Sequence, residues 1–262
     1  MQKIGYIKYL NSQPLYVGLT LQEQLNNNLQ IITGNPRELT QLFDSGELDF
    51  GQMSTFSYLQ RQKDFDCLDN FCIASRKGGV DSVLLFSRKP IHDLDDESIA
   101  LTLESLTSAQ LLKVLMAEKY KLKPTWINER VDLCSLEKED FTAVLLIGDQ
   151  ALAAEQQRFN GELKNWFCYD LASLWFEWTG LPFVFAVFVS RKGKMLNPDL
   201  MKTLSDNLQK NLKSIDSIIE SNASSSYSKE LLRKYFGLLD YELDEQKRES
   251  IQKFKKLSIV LD

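Results

Sequence analysis

Short apolar runs alternate with helical patterns along the first 62 residues of this 262-residue chain. Asn35, Pro36 and Glu38 form a helix start, because Asn is a favoured N-cap, Pro suits the first helical position and Glu completes a capping box. Gly46 stops that helix. The other predicted helices are 15–25 and 54–62, and the predicted strands are 3–9, 29–33 and 48–51. Such alternation predicts a parallel sheet covered by helices.

A second unit of the same kind begins near residue 98, and the chain becomes helical from Asn197 onward. Gly148 and Asp170 are each predicted to open a helix, after strands at 142–147 and 167–169. Further strands are predicted at 70–75, 82–87, 99–103 and 183–189, and further helices at 108–119, 201–219, 229–236 and 242–257. We therefore predict two α/β lobes. Lobe one is 1–88, completed by 184–262, and lobe two is 91–182. Two crossings between lobes are typical of a hinged clamp.

Composition and charge narrow the classes of function. The net charge of −5 argues against a nucleic-acid groove, which needs a basic face. The N-terminus lacks the basic and apolar segments of a signal peptide, and there is no run of 18 apolar residues. We therefore expect a cytoplasmic protein that does not span a membrane.

The chain offers few residues for metal, redox or nucleophilic chemistry. The spacing of its four cysteines fits no zinc site. Its single histidine, His92, lies in a polar segment after a strand, and we expect it to be a surface residue or to lie at a helix start. A Ser-His-Asp triad would have to use that residue. There is no P-loop and no dinucleotide-binding glycine motif, so we expect no cofactor and no metal.

An ordered set of stretches resembles the chorismate dehydratases of the futalosine route to menaquinone. The first is Tyr-Leu-Asn-Ser-Gln-Pro-Leu at 9–15, and the others are 46–51, 54–55, 80–87, 103–108, 147–152 and 178–186. The resemblance covers residues 3–190. It implies a two-lobed fold like that of type 2 periplasmic binding proteins, in a cytoplasmic enzyme whose small-molecule substrate is chorismate. The implied reaction removes water and gives 3-[(1-carboxyvinyl)oxy]benzoate.

Two alternatives stay open at this level. One is a cytoplasmic ligand-binding protein of the same fold, since solute-binding relatives carry segments similar to Gly-Glu-Leu-Asp at 46–49. The other is the sister lyase of the pathway, which forms 1,4-dihydroxy-6-naphthoate and is expected to use a histidine. The sequence also departs from the dehydratase pattern at Ser57, where an acidic residue is frequent.

Chorismate carries two carboxylates and a leaving hydroxyl, so its site must bind anions and orient the bonds that break. Ligands of parallel sheets lie where strands end and helices begin, and helix N-termini offer free N–H groups to anions. We predict that Asn11 and Ser82 are catalytic. We predict substrate binding by Ser12, Ser54, Thr55, Ser105, Thr107, Ser108 and Asp149. For each of these residues a helix cap, a turn or a strand position is the alternative role.

No residue in these turns is an evident general base. One hypothesis is therefore that a carboxylate of the substrate itself removes the ring proton. Five aromatic residues could wall the pocket or pack in the core: Trp175, Phe176, Trp178, Phe183 and Phe185.

Overall fold

The computed structural model describes residues 2–19, 24, 28–137, 140–194, 197–224 and 226–259. Its strands are β1 (Gln2–Ile7), β2 (Leu29–Gly34), β3 (Phe50–Ser54), β4 (Phe65–Ser75), β5 (Val83–Ser87), β6 (Ser98–Thr102), β7 (Thr125–Glu129), β8 (Ala143–Ile147), β9 (Phe167–Asp170), β10 (Val184–Arg191) and β11 (Leu239–Asp240). Its helices are α1 (Gln13–Tyr16), α2 (Pro36–Asp44), α3 (Thr55–Gln60), α4 (Leu106–Val114), α5 (Gly148–Phe159), α6 (Leu171–Thr179), α7 (Pro198–Lys213), α8 (Ile215–Asn222), α9 (Lys229–Leu238) and α10 (Glu245–Ile259).

Within these described residues the strands form two separate sheets. The six-stranded sheet has the order β11-β4-β10-β3-β1-β2, and the five-stranded sheet has the order β7-β6-β8-β5-β9. β1 is parallel to β2 and β3, as the alternation of the first 62 residues predicts. β10 runs antiparallel to β3 and β4, and β5 runs antiparallel to β8 and β9. Both sheets are therefore mixed.

The sheets correct one boundary of the predicted lobes. The strand Val83–Ser87 was assigned to lobe one, but it lies between β8 and β9 in the five-stranded sheet. The chain crosses between sheets after Ser75 and returns after α6. We propose that lobe one comprises the six-stranded sheet with its helices, and lobe two the five-stranded sheet with its helices.

The C-terminal helix α10 packs against both lobes. Its Ser250 hydroxyl accepts a hydrogen bond of 3.0 Å from the indole Nε1 of Trp175, in α6. The ring of Phe254 lies edge-on to the rings of Trp175, Phe183 and Phe56, at centroid distances of 6.1, 5.0 and 6.1 Å. Trp175 and Phe183 are therefore core residues, and of the five predicted aromatic residues only Phe185 lines the central cavity described below.

Several local predictions are confirmed and others are wrong. The Asn35–Glu38 capping box forms, and the Asp170 carboxylate caps α6. The helix predicted at 15–25 is wrong after its first two residues, because α1 ends at Tyr16 and the backbone of Val17 is extended. Residues 20–23 and 25 of that prediction lie outside the described residues. The continuous helix predicted from Met201 is broken at Ser214. No described helix is long and apolar enough to span a membrane.

Candidate active site between the lobes

A cavity lies between the two proposed lobes, and residues of both lobes line it. None of the described side chains that line it is charged. The polar residues in its wall are Tyr9, Asn11, Ser54, Ser82, Ser105 and Ser108. The remainder of the wall is Ile7, Pro36, Ile73, Val80, Val83, Ile147, Gly148, Phe185, Ala186 and Leu239.

The structure thus brings together five of the nine predicted site residues: Asn11, Ser54, Ser82, Ser105 and Ser108. They lie in the turn after β1, at the end of β3, just before β5 and at the start of α4. The other four, Ser12, Thr55, Thr107 and Asp149, lie next to this wall but do not line the cavity.

Asn11 lies in a single 3-10 turn (Leu10–Ser12) that leads from β1 into α1. The buried Ser12 hydroxyl donates a hydrogen bond of 3.2 Å to the Asn11 Oδ1. The Tyr241 hydroxyl donates a bond of 2.8 Å to the Asn11 carbonyl oxygen. Ser12 therefore fixes the orientation of the Asn11 amide without itself lining the cavity.

Tyr235 of α9 lies behind the cavity wall, and the sequence analysis did not indicate it. It is fully buried, and its hydroxyl lies close enough to the side chains of Ser82 and Asn11 to interact with both. Burial raises the pKa of Tyr235, although these two interactions act in the opposite direction, so the phenol is neutral at pH 7. Ser82 is also held through its backbone, since its carbonyl accepts a bond of 2.8 Å from Gly148 N–H.

The start of α4 combines capping with exposure to the cavity. Ser105 is the N-cap, and its Oγ accepts a bond of 3.3 Å from the Ser108 N–H and lies 3.2 Å from the Ser108 Oγ. The Thr107 hydroxyl points elsewhere and accepts a bond of 2.8 Å from the backbone N–H of Phe56, in lobe one. Thr107 therefore joins the lobes.

The end of β3 supplies a pair of hydroxyl groups from lobe one. The Ser54 Oγ donates a bond of 2.9 Å to the Ser57 Oγ, so Ser57, where an acidic residue is frequent in the family pattern, is a partner of a cavity residue. The Thr55 Oγ1 donates a bond of 2.7 Å to the Val184 carbonyl oxygen and is fully buried. Thr55 therefore fixes α3 against β10.

Two further hydrogen bonds join the lobes beside the cavity. The Tyr9 hydroxyl donates a bond of 2.7 Å to the Glu104 Oε2, and the Leu10 N–H donates a bond of 3.2 Å to the Asp149 Oδ1. Burial raises the pKa of Asp149, and the bond from Leu10 partly offsets this effect. With the Thr107 bond, these contacts define a closed arrangement of the lobes.

The N-terminus of α5 meets the cavity through a glycine. The residue before it, Ile147, offers no side-chain cap, so the first N–H groups of this 12-residue helix have no capping side chain. Gly148 has a φ of +56° and packs against Tyr9: a Cβ there would lie 2.9 Å from the Tyr9 ring. Close approach and a positive φ together require glycine at this position. Helix N-termini of this kind favour anions.

Groups suited to metal or histidine chemistry lie elsewhere. His92 is exposed in a short turn of lobe two, and its ring lies edge-on to Tyr120 at 5.3 Å. Among the described residues no group of three or more His, Cys, Asp or Glu side chains could hold a metal ion. The described polar groups that the cavity offers to a ligand are therefore neutral hydroxyl, amide and N–H groups.

Solved structures share this arrangement of two α/β sheets with a cavity between them. The aliphatic sulphonate binding protein SsuA from Escherichia coli, a periplasmic protein, matches with a TM-score of 0.70 at 13 % identity, over 99 % of this chain and 87 % of that one. A protein from Archaeoglobus fulgidus matches with a TM-score of 0.67 at 14 % identity, over 99 % and 97 %. A Candida albicans protein described as having the generic periplasmic binding protein fold gives 0.62 at 15 %, over 99 % and 90 %. The fold is therefore that of periplasmic binding proteins.

Sequence comparison then gives the family. The family model for menaquinone biosynthesis matches residues 2–258. The chorismate dehydratase of Thermus thermophilus is 31 % identical over 266 aligned residues, which cover 96 % of this chain and 93 % of that protein. The chain belongs to the menaquinone biosynthesis family.

Proposed function

We propose that this chain is a chorismate dehydratase, which removes water from chorismate to give 3-[(1-carboxyvinyl)oxy]benzoate. We further propose that it acts in the cytoplasm, on the futalosine route to menaquinone. The observation that carries the proposal is the cavity of neutral hydrogen-bonding groups between the lobes, in a chain similar to a chorismate dehydratase over 96 % of its length.

The chemistry of the reaction fits such a cavity. Loss of water makes the ring aromatic, so the enzyme has to orient the C–H and C–O bonds and stabilise developing charge. Asn11 and Ser82 are the proposed catalytic residues: the amide donates to the leaving hydroxyl, and the Ser82 hydroxyl donates to a neighbouring oxygen of the substrate. Both side chains line the cavity and lie near the buried Tyr235, which supports their acting together.

The two carboxylates are proposed to bind at the strand-to-helix turns. Ser54 approaches from lobe one, while Ser105 and Ser108 approach from lobe two with the N-terminus of α4. The uncapped N-terminus of α5, beside Gly148, offers a second set of N–H groups. Since both lobes contribute, the complete site forms only when the lobes close.

The lining of the cavity supports the hypothesis that the substrate removes its own ring proton. None of the described lining side chains is a carboxylate, an imidazole or an amine. A substrate carboxylate would accept the ring proton while the C–H electron pair enters the ring. The C–O bond would then break, and the departing oxygen would take a proton from the carboxylic acid just formed, so that water leaves and the carboxylate is restored. An analogue with that carboxylate replaced by an amide should bind and not react. Full turnover of the analogue would refute the hypothesis.

Neither alternative is favoured. The sister lyase is expected to use a histidine, and the single histidine of this chain is exposed and does not line the cavity. The structural similarity to sulphonate-binding proteins is at 13 % identity and shows the fold alone. A binding protein of this fold would hold chorismate without consuming it.

The test is to incubate the purified protein with chorismate and follow the products by chromatography with mass detection. We expect loss of one water, abolished in Asn11→Ala and slowed, but still measurable, in Ser82→Ala. Asn197→Ala is the matched control, since this residue caps α7 and does not line the cavity. Unchanged chorismate with tight binding would favour a binding protein. Unchanged chorismate without binding would favour the sister lyase.

A further inference from the structure

The carboxylate of Asp170 has more partners than a helix cap needs. Its Oδ1 accepts bonds from the Ala172 and Ser173 N–H groups, at 2.9 and 3.0 Å, and these bonds cap α6. Its Oδ2 accepts bonds of 2.7 Å from both the Val80 and the Asp81 N–H groups. One oxygen therefore binds the helix, and the other binds the crossing segment, residues 76–82, which leads from one sheet to the other.

That crossing segment ends at Ser82. Asp81 has a φ of +53°, a left-handed conformation that a non-glycine residue keeps only when its surroundings hold it. The bond from its N–H to Asp170 is one such restraint. Ser82 follows at once, and its carbonyl is fixed from the other side by the Gly148 N–H at 2.8 Å. The direction of the Ser82 side chain is thus set by two backbone anchors.

Packing shows how closely the segment follows the carboxylate. A Cβ on Gly79 would lie 3.0 Å from the Asp170 Oδ2 and 2.9 Å from the Ser173 Oγ. There is no room between the crossing segment and the carboxylate for a side chain. Val80, which receives one of the two bonds, lines the cavity beside Ser82. A shift of the segment would therefore move part of the cavity wall.

We propose that Asp170 is a positioning residue for Ser82 in the dehydration of chorismate, an inference that rests on the proposed function. It acts through the backbone of residues 80 and 81 and does not line the cavity. Its partners in α6 belong to lobe two, so the same carboxylate ties the cavity wall to that lobe.

The test is Asp170→Asn, measured as kcat and KM for chorismate together with the midpoint of thermal unfolding. The asparagine oxygen can still accept bonds from the N–H groups of α6. Its NH2 group would then face the N–H groups of the crossing segment, and two donors cannot form a hydrogen bond. Because a displacement of about 1 Å can cost a hundredfold in rate, we expect kcat to fall by roughly tenfold or more, with KM changed by less than about threefold. Asn197→Ala, which removes the cap of α7, is the control and should leave kcat unchanged.

A double mutant separates positioning from general destabilisation. If Asp170 acts through Ser82, Asp170→Asn should lower kcat by no more than about twofold in a Ser82→Ala background. Two results would overturn the inference and leave the proposed function intact. One is that the two substitutions lower kcat independently, so that their effects multiply. The other is an Asp170→Asn protein with normal kcat and a lower unfolding midpoint. If wild-type protein does not consume chorismate, the proposed function fails and this inference fails with it.

A second variant keeps the test decisive should Asp170→Asn fail to fold. Gly79→Ala leaves the carboxylate and the cap of α6 in place but inserts a methyl group between Asp170 and the crossing segment. We expect kcat to fall, and the fall to disappear in the Ser82→Ala background. A Gly79→Ala enzyme with wild-type kcat would refute the proposal.

Discussion

Replacing Gly148 by alanine should weaken closure of the lobes more than it weakens the fold. The added Cβ would lie 2.9 Å from the Cγ and Cδ1 of Tyr9 and 3.0 Å from its Cδ2. Carbon atoms in contact prefer about 3.5–4.0 Å, so the Tyr9 ring has to retreat by roughly 0.6–1 Å. The Tyr9 hydroxyl donates to Glu104 across the cleft at 2.7 Å, so the same shift stretches that bond to the limit of hydrogen bonding.

The size of the effect follows from that bond. A hydrogen bond to a charged group contributes about 1.5–3 kcal/mol, so its loss should disfavour the closed state by roughly 10- to 100-fold. Alanine at a φ of +56° adds a backbone cost of about 1–2 kcal/mol, which applies to open and closed states alike. The first effect should lower kcat/KM for chorismate, and the second should lower only the free energy of unfolding.

The matched control is Gly46→Ala. Gly46 has a φ of +78°, and a Cβ there would meet nothing within 4 Å. Both variants should lose similar stability in denaturant unfolding, whereas only Gly148→Ala should lose kcat/KM. Equal kcat/KM in the two variants would refute the view that contact between Gly148 and Tyr9 controls closure.

Two further predictions concern buried polar groups. Tyr235→Phe removes the hydroxyl beside Ser82 and Asn11 and should lower kcat by about tenfold with little change in unfolding temperature. Tyr6→Phe, a buried control, should leave kcat unchanged, and equal kcat values in the two variants would contradict the prediction. Burial raises the pKa of Asp149 above its ordinary 3.8, so the folded state binds its proton more tightly than the unfolded state. The free energy of unfolding therefore falls as pH rises from 3.8 through the higher pKa of the folded state. Asp149→Asn should be more stable than wild type at pH 7 but not below about pH 3. Denaturant titrations at several pH values test this, and a gain independent of pH would contradict it.

Local rules were enough for most elements of the fold. The capping box at Asn35 and the cap at Asp170 depend on residues three positions apart at most, so the sequence displays them directly. The strand β7 (Thr125–Glu129) was missed because its half-exposed residues follow neither a buried run nor a clear alternation. The placement of β5 in the second sheet was missed because pairing partners distant in sequence leave no local signal.

The site was predictable where residues stand at strand-to-helix turns. Asn11, Ser54 and Ser105 follow that rule, and the cavity wall contains all three. Thr107 was predicted to contact the ligand, but its hydroxyl accepts the Phe56 N–H from the opposite lobe, a contact that only the closed arrangement creates. Tyr235 lies on a C-terminal helix, beyond the family-like stretches, and nothing in the adjacent sequence marks it as lying beside the site.

The absence of charge among the described lining residues has a physical consequence for a substrate with two carboxylates. A lysine or arginine there would attract those carboxylates equally before and during the reaction, and such uniform binding lowers KM without raising kcat. Fixed hydroxyl, amide and N–H dipoles gain strength when water is expelled, so their effect depends on closure. For the proposed reaction, Tyr9, Thr107 and Asp149 would therefore act through their hydrogen bonds between the lobes, which hold the closed geometry that neutral donors need.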